Sequence, residues 1–260
     1  MWLDQPRNPQ APLAGLKVLD LARVLAGPWA GQILADLGAD VIKVESPEGD
    51  GTRLWGPPWI ERENSEREAA YYHAANRGKR SIVADFKDEQ DLARVRDLAA
   101  SADVVLENFK TGTLAKFGLD YASLAAANQR LVYDDLKKTV PGIVYCSITG
   151  FGQTGPRAHE AGYDFVVQAM SGFMALTVEP AGQPMKMGIS ISDLTCGLYA
   201  VIGIQAALAM RERTGRGQHV DMALLDCSVG LLASQATHFF TTGENPPRMG
   251  NEHAQVSAYG

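Results

Sequence analysis

Near the start of this chain a strand, a helix and a second strand follow one another with very short joints. Lys17-Val18-Leu19-Asp20-Leu21 reads as a buried strand, and Val41-Ile42-Lys43-Val44-Glu45 as another. Between them Pro28 suits the first turn of a helix, Ile33, Leu34 and Leu37 form its apolar face, and Gly38 stops it. Strands joined through a helix in this way run parallel, and the crossover is right-handed. The alternation continues with a strand over Arg80 to Asp85, a helix over Glu89 to Ala100 that turns Leu92, Val95 and Leu98 inward, and a strand over Asp103 to Glu107. A long helix is expected from Asp193 to Arg213, then a turn at Thr214-Gly215-Arg216-Gly217, a strand over His219 to Leu225, and a helix near Asp226 to Thr241. The fold class is therefore α/β, a parallel sheet flanked by helices.

The opening unit resembles the start of a Rossmann fold, and Glu45 at the end of the second strand invites a dinucleotide reading. The turn, however, is Val24-Leu25-Ala26-Gly27-Pro28-Trp29-Ala30-Gly31 and lacks GxGxxG. Without the first pair of glycines the backbone cannot approach a pyrophosphate in that manner.

Composition narrows the ligand class. The net charge of −6 argues against general nucleic-acid or anionic-membrane binding, while a small phosphate-bearing ligand can still meet a local basic patch. Cys146, Cys196 and Cys227 form no CxxC pair, and the histidines show no metal-ligand spacing, so a reduced, metal-free cytoplasmic protein is expected. Residues 1–12 lack the apolar core of an export signal, and no run reaches the ~20 uninterrupted apolar residues that span a bilayer.

A short repeat interrupts the pattern. Tyr121 to Tyr133 and Tyr133 to Tyr145 align with Leu124 on Leu136 and Val132 on Val144, each copy reading as helix then strand. A single duplication is no solenoid, so one copy is expected in the sheet and the other displaced.

Asp193 stands where Met187-Gly188-Ile189-Ser190-Ile191-Ser192 gives way to the apolar stretch from Leu194 to Met210. A carboxylate there can cap the helix, or it can face a cleft as a nucleophile. Position alone leaves both open.

Several segments together resemble the family III CoA-transferases, which include formyl-CoA transferase, carnitine CoA-transferase and α-methylacyl-CoA racemase. They are Leu16-Lys17-Val18-Leu19-Asp20 with Ala26-Gly27-Pro28, Leu37-Gly38-Ala39-Asp40-Val41-Ile42-Lys43-Val44-Glu45, and Asn76-Arg77-Gly78-Lys79-Arg80-Ser81-Ile82. Glu107-Asn108-Phe109, Cys146-Ser147-Ile148-Thr149-Gly150-Phe151-Gly152, Gly162-Tyr163-Asp164 and Thr214-Gly215-Arg216-Gly217-Gln218 complete the set, and their order and spacing carry the resemblance. It implies a CoA-binding α/β large domain over residues 12–230 and, over 231–260, a linker toward a small domain that the chain is expected to lack.

The resemblance makes Asp193, with Gly197 after it, the nucleophile. A carboxylate that attacks a thioester gives a mixed anhydride, and returning CoA thiolate gives an aspartyl-CoA thioester. An aspartate ionised at neutral pH needs no base for this, and amides at its own helix start are one source of oxyanion donors. Coenzyme A is implied as substrate, with no tightly bound cofactor and no metal. It is expected to touch Val24, Leu25, Ala26, Ala84, Lys87, Asn108, Phe109 and Lys116, with Gly162 and Tyr163 near the pantetheine. Lys87 and Lys116 suit phosphate, the Asn108 amide can read adenine or pantetheine, and Phe109 can stack.

Where the racemase branch carries a histidine this chain has Tyr163, and a phenol is a poor proton carrier near neutral pH. Ser46 stands where many relatives have an arginine, and Leu25 where formyl-CoA transferase has glutamine. Ile191 to Ala200 and Ala161 to Asp164 look nearest to the succinate–hydroxymethylglutarate (glutarate) CoA-transferases, which implies a dicarboxylic acceptor and, for the full-length family, an interlocked homodimer. A CoA-binding protein without turnover and an acyl-CoA racemase are the alternatives.

Overall fold

The structure is a computed structural model that describes residues 1–3, 5, 6, 8–61, 67–131, 139–253 and 256. The elements run β1 (Lys17–Asp20), α1 (Ala26–Asp36), β2 (Asp40–Glu45), β3 (Trp59–Glu61), β4 (Arg67–Ala69), α2 (Ala70–His73), β5 (Arg80–Val83), α3 (Glu89–Ala100) and β6 (Val104–Glu107). There follow α4 (Tyr121–Ala127), β7 (Gln129–Leu131), β8 (Thr139–Pro141), β9 (Val144–Thr149), α5 (Asp164–Ser171), α6 (Phe173–Leu176), α7 (Ile191–Thr214), β10 (His219–Ala223), α8 (Leu224–Leu231) and α9 (Ser234–Thr242).

Six strands form one parallel sheet in the order β10-β9-β6-β1-β2-β5. The chain builds outward from β1 through β2 to β5, then returns to the other side of β1 with β6. That reversal opens a crevice between the loops after β1 and β6, where α/β sheets hold ligands.

Side-chain alternation along the strands makes two cores. Val18, Val41, Leu106, Cys146 and Ile148 face α1 and α7, where Leu34, Ala200 and Ile204 are buried against them. Leu19, Ile42, Val105 and Tyr145 face α3 and α4, where Val95, Leu98 and Leu124 fill the other side. Helix α3 begins where Asp88 accepts from the amides of Gln90 and Asp91 at 3.0 and 2.9 Å. At 24 residues α7 is long and apolar enough to cross a membrane by length and composition, but it lies against α1, β9 and β10 with half of its apolar window buried. Gly197 permits that crossing, since a Cβ there would meet the Ala26 carbonyl at 2.8 Å.

Two expected boundaries are corrected. The last strand ends at Ala223, and the single helix expected over Asp226 to Thr241 is two, broken at Ala233 with φ +45°. Leu224, Cys227 and Ser228 anchor α8, whereas α9 buries no residue, so nothing in the core holds the two in line.

The repeat divides as expected. Strand β7 of the first copy pairs antiparallel with β8 in a separate hairpin, while Val144 and Tyr145 of the second copy begin β9, inside the main sheet. The helix expected in the second copy lies outside the described residues.

Candidate functional site

The loop after β1 rests on a buried ionic frame. Lys43 Nζ donates to the Ala22 carbonyl at 2.7 Å and lies 3.0 Å from Asp50 Oδ2, with both side chains closed to solvent. Asp50 in turn accepts from the Val24 amide at 3.2 Å and from both nitrogen and hydroxyl of Thr52. Beside it, Lys79 Nζ bridges Asp20 Oδ2, the Pro28 carbonyl and Asn76 Oδ1 at 2.8, 2.8 and 2.9 Å. Both lysines lie where ion pairs and hydrogen bonds compensate the cost of burying a charge.

Glu45 belongs to this frame and not to a nucleotide ribose. Its carboxylate accepts from Arg53 Nε and Nη2, the Tyr72 hydroxyl, the Asp50 amide and Ser81 Oγ. Burial raises its pKa, but the Arg53, Ser81 and Asp50 bonds outweigh that and hold it at about 2. Held from below, Val24 sits at φ +70°, a conformation that strains a β-branched residue by about 1–3 kcal/mol.

A cleft of about 440 Å³ opens above this loop, walled by the segments after β1 and β6, the end of β9 and the loop leading into α5. It brings together Val24, Leu25, Ala26, Asn108, Phe109, Gly162, Tyr163 and Asp193. A larger hollow of about 640 Å³ lies at the opposite ends of β1 and β2, beside Lys17 and Asp40, and touches none of these residues. Gly162 lies against Gly150, where a Cβ on either would meet the other's Cα at 2.4 Å, and this brings the Tyr163 loop down onto the end of β9.

Ala84, Lys87 and Lys116 do not line the cleft. Ala84 is buried, its amide donating to the Glu45 carbonyl. Lys87 and Lys116 are exposed and adjoin Phe86 and Phe117, whose rings are 5.5 Å apart, with Phe86 6.3 Å from Phe109. Phe86 and Phe117, each next in sequence to one of the lysines, thus extend the aromatic rim that Phe109 shares with the cleft.

Asn108 does something other than read a base. Its Oδ1 accepts from the Arg23 amide at 2.8 Å and its Nδ2 donates to the Arg23 carbonyl at 2.6 Å, which latches the loop after β6 to the loop after β1. Arg23 escaped the sequence reading. Its guanidinium lies 4.4 Å over the Phe109 ring, exposed at the cleft wall, so the cleft carries a cation at its mouth. The only signal for it was its place directly before Val24.

Asp193 is on the first turn of α7, and it is not the cap. Asp164 Oδ1 accepts from the Ser192 amide at 2.8 Å and from the Asp193 amide at 3.3 Å. Gln168 completes the clamp: Nε2 donates to Asp164 Oδ2 at 2.6 Å and Oε1 accepts from the Met187 amide at 2.8 Å. Those two helix-start amides are therefore already engaged by a carboxylate, which corrects their expected use as oxyanion donors. The Asp193 carboxylate itself makes no hydrogen bond or ion pair among the described residues and lines the cleft.

Its ionisation also differs from the expectation of an ordinary carboxylate. Burial, and then the Asp164 charge, push the Asp193 pKa up to about 7. Tyr71, a second residue the sequence did not reveal, shares this environment. Its phenol is raised by burial and then by the Asp193 charge, with Ser190 hydrogen-bonded to it, and its ring meets Trp55 edge-on at 5.2 Å.

The family model described as CoA-transferase family III matches residues 13–134 and 132–260. The chain belongs to CoA-transferase family III. The two matched stretches overlap at 132–134, inside the repeat. A succinate–glutarate CoA-transferase of Agrobacterium fabrum is 57% identical over 258 residues, 98% of this chain and 61% of that protein. A succinyl-CoA:glutarate CoA-transferase of Mus musculus is 41% identical over all of this chain and 56% of its own length. A CAIB/BAIF family protein of Brucella suis superposes with a TM-score of 0.87 at 60% identity, covering 94% of this chain and 61% of that one. The chain thus spans roughly three fifths of the length of the family III proteins it matches.

Proposed function

We propose that this chain carries the CoA-binding and nucleophilic half of a transferase that moves coenzyme A from an acyl-CoA, succinyl-CoA first, to a dicarboxylic acid such as glutarate. The observation that carries the reading is the Asp193 carboxylate, unengaged by any hydrogen bond among the described residues and set on the cleft at the sheet's switch point. The family membership and the activities of these relatives support it.

In the first step an Asp193 oxygen attacks the thioester carbon, the C–S bond breaks, and CoA leaves as thiolate, with a mixed anhydride on Asp193. The thiolate then attacks the aspartyl carbonyl, releasing the donor carboxylate and leaving an aspartyl-CoA thioester. The acceptor carboxylate repeats these two steps in reverse order, which returns CoA to the new acyl group and a free carboxylate to Asp193. Asp164 and Gln168 hold the helix start, so that Asp193 does not turn back to cap its own helix. Arg23 supplies positive charge to the CoA phosphates, Phe109 an apolar wall, and Gly162 and Tyr163 the surface for the pantetheine arm. Lys87 and Lys116 meet the nucleotide end at the aromatic rim.

A cytoplasmic homodimer is part of this reading, and the exposed apolar side chains Phe165 on α5, Leu198 and Ile202 on α7 and Phe240 on α9 support the association of two copies. Incubation with succinyl-CoA followed by hydroxylamine or borohydride should modify Asp193, as read by peptide mass. Absence of any adduct while CoA still binds would leave a CoA-binding protein without turnover.

A further inference from the structure

A second cavity, of about 350 Å³, lies on the α4 side of the sheet over the ends of β6 and β9, and it adjoins the first through Lys110 and Thr111, which line both. Glu107, Ser147 and His219 form its floor, Tyr121 and Tyr145 a wall. Nothing in the proposed transfer uses it.

Its main acceptors are already engaged. Glu107 Oε2 accepts from the Phe109 amide at 2.8 Å, and Ser147 is hydrogen-bonded to the Glu107 carboxyl. Ser147 Oγ is 2.9 Å from His219 Nε2, and Asp120 Oδ1 accepts from Ser123 Oγ at 2.6 Å. The donors are not. Among the described residues Thr111 Oγ1 and Gln153 Nε2 are closed to solvent with no hydrogen-bond partner, and the solvent-exposed Lys110 stands beside them at the rim. Buried donors left in this state are rare, because each forfeits its hydration without return. Around them Leu114, Ala115, Ala122 and the ring of Tyr121 offer room for a short aliphatic chain.

We infer that this cavity is a second ligand site, which binds a short-chain carboxylate through Gln153, Thr111 and Lys110. A carboxylate is acceptor-only when ionised and satisfies all three donors, whereas an amine or a neutral amide leaves at least one unmatched. Burial, offset in part by Ser147 and the Phe109 amide, raises the Glu107 pKa to about 7, so the floor carries less negative charge near neutral pH than its composition implies. The choice of glutarate as probe rests on the transferase reading, but binding is measured without turnover, so failure of transfer and failure of this site are separate results.

The test is calorimetry of the 260-residue chain with glutarate and with glutaramide, alongside crystals soaked in glutarate. Glutarate is expected within hydrogen-bonding distance of Gln153 Nε2 and Thr111 Oγ1, with glutaramide about tenfold weaker and Gln153→Leu about tenfold weaker for glutarate at unchanged CoA affinity. Thr111→Val should weaken glutarate similarly. Glutarate found only beside Asp193, or nowhere, would overturn the inference, as would full displacement of glutarate from this cavity by CoA. If Gln153→Leu does not fold, the soaked wild-type crystal still decides.

Discussion

Asp164 Oδ1 accepts a hydrogen bond from the Asp193 amide at 3.3 Å, so one aspartate closes the helix on which the other is carried. The same contact that orients Asp193 places a negative charge beside it. Asp164→Asn keeps an acceptor but removes the charge. The rising limb of the pH profile of kcat/KM, set in the wild type by the Asp193 carboxyl at about 7, is expected to move to lower pH. Asp164→Ala leaves the Ser192 and Asp193 amides without their acceptor and should cost about 1 kcal/mol in urea unfolding. An unmoved pH midpoint in Asp164→Asn would show that the two charges are not coupled.

Asp193→Asn should abolish transfer and stabilise the fold at the same time. The folded pKa of about 7 lies above the ordinary 3.8, so the unfolded chain ionises first as pH rises. Wild-type stability attributable to this group is complete below about pH 4 and declines until about pH 7. The amide variant escapes that loss, by about 2 kcal/mol at pH 8 once solvent screening is allowed for, and matches wild type near pH 4. Thermal melts at the two pH values check both halves.

Lys43→Met tests the frame beneath the cleft. It leaves Asp50 buried at 0% side-chain exposure without its cation, and such half-broken pairs cost about 3–5 kcal/mol. The loss should be seen in the denaturant midpoint. Because Asp50 also holds the Val24 amide, CoA affinity should fall further than for an equally destabilising core change such as Val95→Ala, which is buried against the opposite face.

Asn108→Ala cuts the latch to Arg23 without touching the frame. CoA affinity is expected to fall about tenfold, with the unfolding midpoint nearly unchanged, because an exposed pair of hydrogen bonds contributes little to stability but sets where the Arg23 guanidinium stands. Titration of CoA by calorimetry separates the two effects.

Periodicity gave the sheet with little error because each central strand is buried on both faces and reads as an apolar run, as Val41 to Val44 does around Lys43. It missed the break at Ala233, since Leu231, Phe239 and Phe240 continue an apolar pattern that nothing in the core receives. Among site residues, Asp193, Asn108 and Gly162 stood out through the motifs around them. Arg23 and Tyr71 did not, because neither has a distinctive neighbour in sequence and each acquires its place only through a contact across the fold.

The sequence by itself determined the parallel α/β sheet, which follows from local burial patterns and short crossovers, and its motifs, through their resemblance to a family, pointed to the segments at the cleft. Which carboxylate caps α7 and which one faces the cleft was decided by tertiary structure alone. Asp164 and Asp193 are 29 residues apart, and only packing of α5 against α7 brings the first onto the amides of the second. The raised pKa has the same origin, because burial and a neighbouring charge belong to the folded arrangement and not to the residue.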